Sequence, residues 1–340
     1  MKSPRSISLF AAATTLAVAW LVAPVPVFAQ NYQTIDPPGT TYTIAQGINA
    51  NGQIVGFYED SNHTEHGFLD SKGIYTTIDP PDSVETIADN INSQGQIIGY
   101  YFVGAGPQQG FVYSHGTYTT IDPPGSVTVT PESINKAGQI VGVYRDGNAV
   151  DHGFLYSTGG GYTVLEFPGA LDTAALSIND AGQVVGYYQY LDSNGIGQLT
   201  GFLYSQGTYT TIGPPGSFDT YLTSINKFGT IVGHFQTSSS GPEQGFVYSN
   251  GTYTPIEFPG AVRTEPISIN DKGQITGFYQ TSSTTAPQHA FLYSNGQYTS
   301  IDPPESTSPI GFSINNSGQI VGYYSDNSTN HGFLATLPKK

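Results

Sequence analysis

Apolar residues lie along this chain in short segments that alternate between two faces, as they do in β-strands. In the segment from Gln53 to Tyr58, Ile54 and Tyr58 point to one side, and Val55 and Phe57 point to the other. Because both sides are apolar, we expect this strand to be covered on both faces of its sheet. Glycine and proline are abundant between such segments and predict tight turns rather than helices.

The same pattern of segments occurs seven times. The motif Ile-Asn-x-x-Gly begins at Ile48, Ile91, Ile134, Ile178, Ile225, Ile269 and Ile314, so neighbouring copies are 43 to 47 residues apart. After the motif, each copy has a strand, a polar loop of variable length, a short strand such as His152–Ser157 and a glycine turn. A last strand then ends at Pro-Pro in most copies. Four antiparallel strands are therefore predicted for each copy.

Tight turns join these strands. Asn49 followed three residues later by Gly52 favours a type I turn whose last residue has a positive φ. Ser205-Gln-Gly207 is expected to do the same at the next hairpin, and Pro-Pro ends the fourth strand because proline cannot donate to a β-ladder. A further glycine recurs within the second strand, where we expect it to permit close approach by the neighbouring sheet. Its seven copies are Gly56, Gly99, Gly142, Gly186, Gly233, Gly277 and Gly322.

Four-stranded units of this length, stacked face to face, predict an all-β fold, a seven-bladed β-propeller of four-stranded blades. An open β-solenoid is the alternative, but its coils are normally shorter. The segment Tyr32–Asp36 is a fourth strand that precedes the first copy, and His331–Ala335 is a third strand with no fourth strand after it. We therefore expect the N-terminal strand to complete the last blade and close the ring, which removes two exposed sheet edges.

One third strand begins with His289-Ala290-Phe291, and His66, His152 and His331 begin Gly-Phe variants of the same motif. In these residues the chain resembles the HAF-repeat family of bacterial extracellular proteins, and the resemblance covers all seven copies. It implies a secreted bacterial repeat protein of the propeller type. The family has no established activity and no catalytic motif, so the resemblance assigns no role to any residue.

The first 29 residues have the pattern of an export signal. Lys2 and Arg5 precede an apolar stretch that ends near Val22, and Ala29 suits the last position before a cleavage site. The stretch is short for a membrane span, so an uncleaved anchor is the less favoured alternative. We expect residues 1–29 to be a signal peptide and residues 30–340 to be a secreted or periplasmic propeller that makes no membrane contact after cleavage.

The acidic net charge of the chain argues against some classes of binding partner. The formal net charge is −15, and it becomes −17 without residues 1–29. Nucleic acids and anionic lipids recruit lysine and arginine, so an acidic chain argues against both of them as partners. The chain has no cysteine, and an exported form must therefore be held together by its core rather than by disulfides.

The sequence contains no recognisable motif for catalysis or metal binding. The four histidines of the third strands belong to different blades and cannot share a metal ion, and no cysteine, His-x-x-x-His pair, nucleophile elbow or phosphate loop occurs. Trp20 in the signal is the only tryptophan, which argues against a sialidase-type Asp box. We therefore predict no metal, no cofactor and no catalytic residue.

A tyrosine begins each fourth strand, at a position that we expect on the outer rim. These residues are Tyr32, Tyr75, Tyr118, Tyr162, Tyr209, Tyr253 and Tyr298. One interpretation is a multivalent lectin with a stacking surface on every blade. The favoured interpretation is that tyrosine covers an outer edge well, because it has an apolar ring and a solvated hydroxyl group.

The innermost strand, which precedes each Ile-Asn, differs most among the copies. Because a constraint of the fold acts on all copies alike, divergence at channel-facing positions is where an asymmetric ligand site can arise, with unconstrained drift as the alternative. We expect the site on the face that carries the Pro-Pro loops and the long loop from Gln189 to Thr200. The candidate ligand-binding residues are Tyr42, Glu85, Asp89, Glu132, Asp172, Asp219, Tyr221, Arg263, Glu265 and Phe312.

Three functions are compatible with these features. A binding or scaffolding module for an extracellular glycan or protein is preferred, because repeats without catalytic motifs suit surface recognition. A secreted hydrolase or lyase that uses carboxylates at the channel mouth comes second, and a structural envelope protein comes third. Two carboxylates that converge around an open pocket would favour the hydrolase.

Overall fold

The computed structural model describes residues 31–337 except 158, 160, 283–285 and 327. These residues form 28 strands, numbered in chain order, in seven antiparallel sheets of four strands each. The predicted all-β, seven-bladed propeller is confirmed. The predicted signal peptide and its cleavage site lie outside the described residues. Within the described part of the chain, no helix is long and apolar enough to span a membrane.

Each blade is built from four strands that lie side by side, in order from the centre of the ring to its rim. The innermost strands are β2 (Tyr42–Ile48), β6 (Glu85–Ile91), β10 (Ser126–Ile134), β14 (Asp172–Ile178), β18 (Asp219–Ile225), β22 (Arg263–Ile269) and β26 (Thr307–Ile314). The second strands are β3 (Ile54–Glu59), β7 (Ile97–Phe102), β11 (Gln139–Asp146), β15 (Val184–Leu191), β19 (Ile231–Gln236), β23 (Ile275–Gln280) and β27 (Gln319–Ser325).

The two outer strands of the blades are shorter on average, and every fourth strand has five residues. The third strands are β4 (Glu65–Ser71), β8 (Gln109–Ser114), β12 (Asp151–Ser157), β16 (Gly197–Ser205), β20 (Gln244–Ser249), β24 (His289–Ser294) and β28 (Asn330–Thr336). The fourth strands are β5 (Ile74–Ile78), β9 (Thr117–Ile121), β13 (Gly161–Leu165), β17 (Thr208–Ile212), β21 (Thr252–Ile256), β25 (Gln297–Ile301) and β1 (Asn31–Ile35).

The blades pack face to face around the ring, and β26 contacts β2 just as every other innermost strand contacts the next. A phenylalanine on each third strand fills the space between neighbouring blades and is at most 1 % exposed. These residues are Phe68, Phe111, Phe154, Phe202, Phe246, Phe291 and Phe333. Because each one is fully packed, we expect its truncation to alanine to cost about 3–5 kcal/mol.

The ring is closed by the N-terminal strand, as predicted. Strand β1 pairs antiparallel with β28, from Asn31 opposite Thr336 to Ile35 opposite Gly332. Ile35 is completely buried and belongs to the core between the last and first blades. The seam therefore has the same ladder and the same apolar contacts as a covalently continuous blade.

The recurrent glycine of the second strand has a different role from the one that we predicted. A Cβ atom on Gly56 would lie 2.0 Å from the backbone carbonyl oxygen of Ile44, which belongs to the innermost strand of the same blade. The same holds in every blade, at distances of 1.8 to 2.2 Å. The glycine therefore admits its own innermost strand, which bulges at this point, and not the neighbouring sheet.

The two turns of each blade also differ from one another. At the first turn, the Gly52 amide donates to the Asn49 carbonyl oxygen over 3.1 Å, and Gly52 has a φ of 76°. This is the predicted type I geometry. At the second turn, Gln206 and Gly207 both have positive φ values, 50° and 83°, so this loop is a tighter two-residue type I′ turn.

Candidate functional site

The strand directions give the ring two distinct faces. The face that carries the Asn-x-x-Gly and Ser-x-Gly turns is called the turn face, and the opposite face, with the proline loops and the variable loops, is called the loop face. Innermost strands run from the loop face to the turn face. Tyr42 and Arg263 therefore lie at the loop-face mouth of the central channel, whereas Asn49 lies at its turn-face end.

Acidic residues are concentrated on the loop face. On the turn face there are three carboxylates, Asp70, Asp180 and Asp271, together with four lysines, Lys72, Lys136, Lys227 and Lys272. Asp89 and Glu132 lie inside the channel, and the remaining twenty acidic residues lie at the loop-face ends of strands or in the loops beside them. Among the described residues, only Arg145 and Arg263 bring positive charge to this face.

Each innermost strand contains a β-bulge that inserts one extra residue opposite the recurrent glycine. All seven extra residues line one cavity of about 350 Å³ inside the channel. They are Gln46, Asp89, Glu132, Leu176, Thr223, Ile267 and Phe312, in order around the ring. The backbone feature is the same in every blade, but no two of these residues are alike. The extra residues of blades one to three form a polar arc, and those of the other four blades form a mainly apolar arc. Serines of blades three to seven also line the cavity.

Asp89 and Glu132 are adjacent members of the polar arc. Among the described residues, neither carboxyl group has a hydrogen-bond or ion-pair partner, and both line the cavity. Burial raises the pKa of Asp89 well above its usual value, and the neighbouring charge of Glu132 adds to this. Burial also raises the pKa of Glu132 to about 7. Near neutral pH, therefore, this pair holds protons that solvent-exposed carboxylates would release.

Aromatic residues cover the channel wall next to the apolar arc. Tyr42 lies 5.8 Å from Phe57, and Phe312 lies 5.6 Å from Tyr323, between ring centroids. Tyr100 packs on the same apolar cluster. The predicted residues Tyr42 and Phe312 are thus brought together with aromatic residues of the second strands, and Phe312 also lines the cavity.

The guanidinium group of Arg263 is already paired with other side chains of the protein. Its guanidinium group contacts Glu265, donates to Glu243 over 2.8 Å and lies 5.2 Å from the ring of Phe278. Burial raises the pKa of Glu265 to about 7, against the opposing effect of Arg263. Arg263 and Glu265 therefore form a partly buried structural cluster at the mouth, with their charges largely satisfied by one another.

His234 lies beside this cluster and was not among the predicted residues. Its ring stacks on Tyr221 at 5.0 Å and 23°, and its Nδ1 atom is buried without a hydrogen-bond partner. Burial and the nearby charge of Arg263 lower its pKa to about 4. His234 is thus a neutral imidazole at the channel mouth. It fills a second-strand position that Phe57 and Tyr100 occupy in other blades.

Three other predicted residues lie at the loop-face ends of innermost strands, away from the cavity. Asp172 accepts a hydrogen bond of 2.9 Å from the Asp151 amide, and Asp219 accepts one of 2.8 Å from the Leu199 amide. Both bonds join neighbouring blades, so these carboxylates serve the assembly of the ring. Glu85 is exposed at the start of its strand.

The rim tyrosines also join neighbouring blades. The hydroxyl group of Tyr162 accepts a hydrogen bond of 2.7 Å from the backbone amide of Asp122, and that of Tyr298 accepts one of 2.9 Å from Glu257. Tyr32 makes the corresponding contact with the amide of Asp302. Half-buried rings with occupied hydroxyl groups agree with the structural interpretation of these tyrosines and leave little free surface for a ligand on each blade.

The histidines of the third strands are hydrogen-bonded rather than free. His66 Nδ1 lies 2.6 Å from Asp79, and His331 Nδ1 lies 2.7 Å from Asp36. Over residues 31–337, with the gaps given above, no group of three or more His, Asp or Glu residues is placed to hold a metal ion.

Exposed apolar residues accompany the acidic ones on the loop face. Seven large apolar side chains lie at strand ends or loops of this face and are 40 to 55 % exposed: Val84, Val103, Val127, Leu171, Leu191, Ile196 and Val262. We call them the loop-face apolar set. Leu191 and Ile196 flank the tip of the fourth-blade hairpin, where the predicted long loop is an extension of β15 and β16.

Comparison with known proteins identifies the fold alone. No protein-family model and no curated protein matches the chain. The chain is similar to the β-propeller domain of the trilobed protease from Pyrococcus furiosus, with 9 % identity, a TM-score of 0.61 and coverage of 88 % of this chain and 98 % of the other. It is also similar to the lectin BP39L from Burkholderia pseudomallei, with 11 % identity, a TM-score of 0.50 and coverage of 87 % and 95 %. A third similar structure is a prolyl endopeptidase, with 10 % identity, a TM-score of 0.57 and coverage of 89 % and 51 %.

Proposed function

We propose that this protein is a binding module that acts outside the cytoplasm, in the periplasm or the medium, and that takes an extracellular glycan or protein ligand into the cavity of its central channel, with entry from the loop face. The HAF-type resemblance and the export-signal pattern support this location. Propellers of similar fold include a lectin and domains of peptidases, so the fold is compatible with recognition but does not select it.

The observation that carries the proposal is the difference among the seven bulge residues. The rest of each blade repeats the same glycine, phenylalanine and asparagine, whereas the cavity wall changes from Gln46 and Asp89 on one side to Ile267 and Phe312 on the other. A pocket with one polar and one apolar side is suited to bind one ligand in one orientation.

A screen of glycans and of secreted proteins, followed by variants of the cavity, tests this proposal. Replacing Glu132 and Phe312 by alanine should weaken binding of the ligand by about a hundredfold or more, because both residues line the cavity. The control replaces Tyr118 and Tyr209, on the rim, by phenylalanine, which keeps their rings in place. If the control loses binding and the cavity variant retains it, the ligand binds the rim and the proposal fails.

A hydrolase or lyase is the second candidate, and one observation favours it. Asp89 and Glu132 lie side by side in one cavity, and both have raised pKa values. A protonated and an ionised carboxyl group in one site can act as general acid and general base. Release of reducing ends or unsaturated products from a panel of polysaccharides, lost in both Asp89→Asn and Glu132→Gln, would support this candidate.

A further inference from the structure

We propose that the loop face binds a basic segment of a partner protein and that one lysine or arginine side chain of this segment enters the channel to meet Asp89 and Glu132. This inference rests on the proposed function and names the chemistry of its ligand. It starts from the two carboxyl groups, which lie inside the channel without a partner among the described residues.

An unpaired carboxyl group in a cavity is costly for the folded protein, and a cation that reaches it relieves this cost. Asp89 and Glu132 belong to adjacent blades and face the same space, so one ammonium or guanidinium group can meet both. The charges of both carboxyl groups act on the phenol of Tyr100, and that of Glu132 acts on the phenol of Tyr187; both phenols have raised pKa values and are neutral at physiological pH. None of the described residues that line the cavity has a cationic side chain.

The shape of the cavity favours a long cationic side chain over a metal ion. Leu176 follows Glu132 around the ring, and Ile267 and Phe312 lie farther round it. Between the serine hydroxyl groups of the same blades, these three side chains offer apolar surface that suits the alkyl stem of lysine or arginine. A calcium ion takes about six to eight oxygen ligands, usually with several carboxylates among them, and only two carboxylates of the described residues line the cavity. A volume of about 350 Å³ holds one such side chain and some water.

The surface around the channel mouth fits the rest of such a segment. Twenty carboxylates lie on the loop face, and the two arginines of this face are already paired with Asp151 and with Glu243 and Glu265. The field of this face therefore attracts cations and repels anions. The loop-face apolar set stands among these charges and favours a polypeptide with apolar side chains over a purely cationic polymer.

The test uses the full chain without its signal and two synthetic peptides, one repeating Ser-Leu-Lys and one repeating Ser-Leu-Glu. Fluorescence anisotropy should detect binding of the lysine peptide alone, with affinity that falls as NaCl rises from about 50 to about 500 mM. The variant Asp89→Asn with Glu132→Gln should weaken binding about tenfold or more, because it removes both acceptors in the channel. Its thermal unfolding confirms that it remains folded.

The matched control is Asp180→Asn with Asp271→Asn, which removes the same charge from the turn face. It should change the affinity by less than about twofold, and asparagine is tolerated there because Asn316 holds the equivalent place in the seventh blade. Equal weakening in both variants, or in neither, would overturn the channel contact, because attraction at long range would then explain everything. Absence of binding to the lysine peptide would overturn the inference entirely.

Three further probes separate the sources of the cation. Binding of spermidine as tight as that of the lysine peptide would assign the site to small polyamines, and stoichiometric binding of calcium chloride, lost in the channel variant, would assign it to a metal ion. Preference for chitosan oligomers would assign it to a cationic glycan. Each of these results overturns the protein segment. A neutral glycan bound in the cavity but unaffected by Asp89→Asn with Glu132→Gln would overturn this inference and leave the proposed function standing.

Discussion

The side-chain amide of Asn315 donates a hydrogen bond of 3.0 Å to the backbone carbonyl oxygen of Asn49, across the seam between the last blade and the first. The same bond links each Ile-Asn asparagine to the next one around the ring, so seven bonds form a closed circuit on the turn face. Most of these asparagines also accept hydrogen bonds from two backbone amides of their own turn, as Asn49 does from Asn51 and Gln53. We infer that this circuit fixes the relative positions of neighbouring blades.

Replacing Asn315 by alanine should destabilise the protein by about 2–4 kcal/mol. The change removes the bond to Asn49, the bond to Gln319 and the support for two backbone amides of the turn. Urea unfolding measures this loss. The control is Asn51→Ala, which removes one exposed bond between blades and should cost less than about 0.5 kcal/mol. If both variants lose the same free energy of unfolding, the asparagine circuit contributes no more to stability than one exposed hydrogen bond between blades.

Deleting residues 30–38 should open the ring. The last blade would lose the ladder between β1 and β28 and the burial of Ile35, and it would expose the edge of β28. We expect a loss on the order of several kcal/mol and a clear fall in melting temperature, measured by scanning calorimetry. A truncated protein that melts within about two degrees of the full-length protein would contradict closure by this strand.

His331 should make the seam depend on pH. It lies between Asp36, at 2.7 Å from Nδ1, and Asp326, at 3.3 Å from Nε2. Burial lowers its pKa, but the hydrogen bonds and charges of the two carboxylates outweigh burial and raise it above the usual value. The added stability is therefore complete below pH ~6.5 and disappears as the pH rises through the raised pKa.

The measurement for His331 is the free energy of unfolding of the wild type and of His331→Gln from acidic to alkaline pH. The difference between them should be largest at acidic pH and should shrink as the pH rises. The control is His115→Gln at an exposed turn position, where no carboxylate of the described residues is paired with the histidine. A difference that grows with pH would refute the assigned role of the seam histidine.

Glu132 should also make stability fall as the pH rises, but because its ionised form destabilises the folded protein. Its pKa is raised to about 7 from 4.5, so the folded protein binds a proton more tightly than the unfolded chain does. Stability therefore falls as the pH rises from ~4.5 to ~7, and Glu132→Gln should remove this fall and stabilise the protein at pH ~8 by about 1–3 kcal/mol. If Glu132→Gln destabilises the protein at that pH, the ionised carboxylate of Glu132 makes a stabilising contact in the folded protein, and the prediction is wrong.

The repeat chemistry predicted the fold because it acts locally and in every copy. Asn49 and Gly52 define a turn by their own backbone preferences, and Tyr32–Asp36 identified the missing strand by its resemblance to the other fourth strands. The role of Gly56 was assigned wrongly because a strand with a mid-strand glycine predicts close backbone approach but does not say which strand approaches. The structure shows that the approaching strand is the bulged innermost strand of the same blade.

Only part of the candidate site could be predicted from the sequence. Divergence among the innermost strands pointed to Asp89, Glu132 and Phe312, all of which line the cavity. A closer alignment would have added Leu176 and the other bulge residues, since each stands two places before the isoleucine of Ile-Asn. The stacking of His234 on Tyr221 and the pairing of Arg263 with Glu243 depend on how strands and loops meet in three dimensions. No spacing along the chain predicts these contacts.

Hydrogen–deuterium exchange of the protein with the ligand recovered from the screen locates the binding site most directly. The account predicts slower exchange in β6, β10 and β26 and in the loops at the loop-face mouth of the channel, because the bulge residues of these strands line the cavity. The outer strands β9 and β17, which carry the rim tyrosines, should exchange as they do in the free protein. Slower exchange confined to the outer strands or to the turn face would contradict a ligand site in the channel.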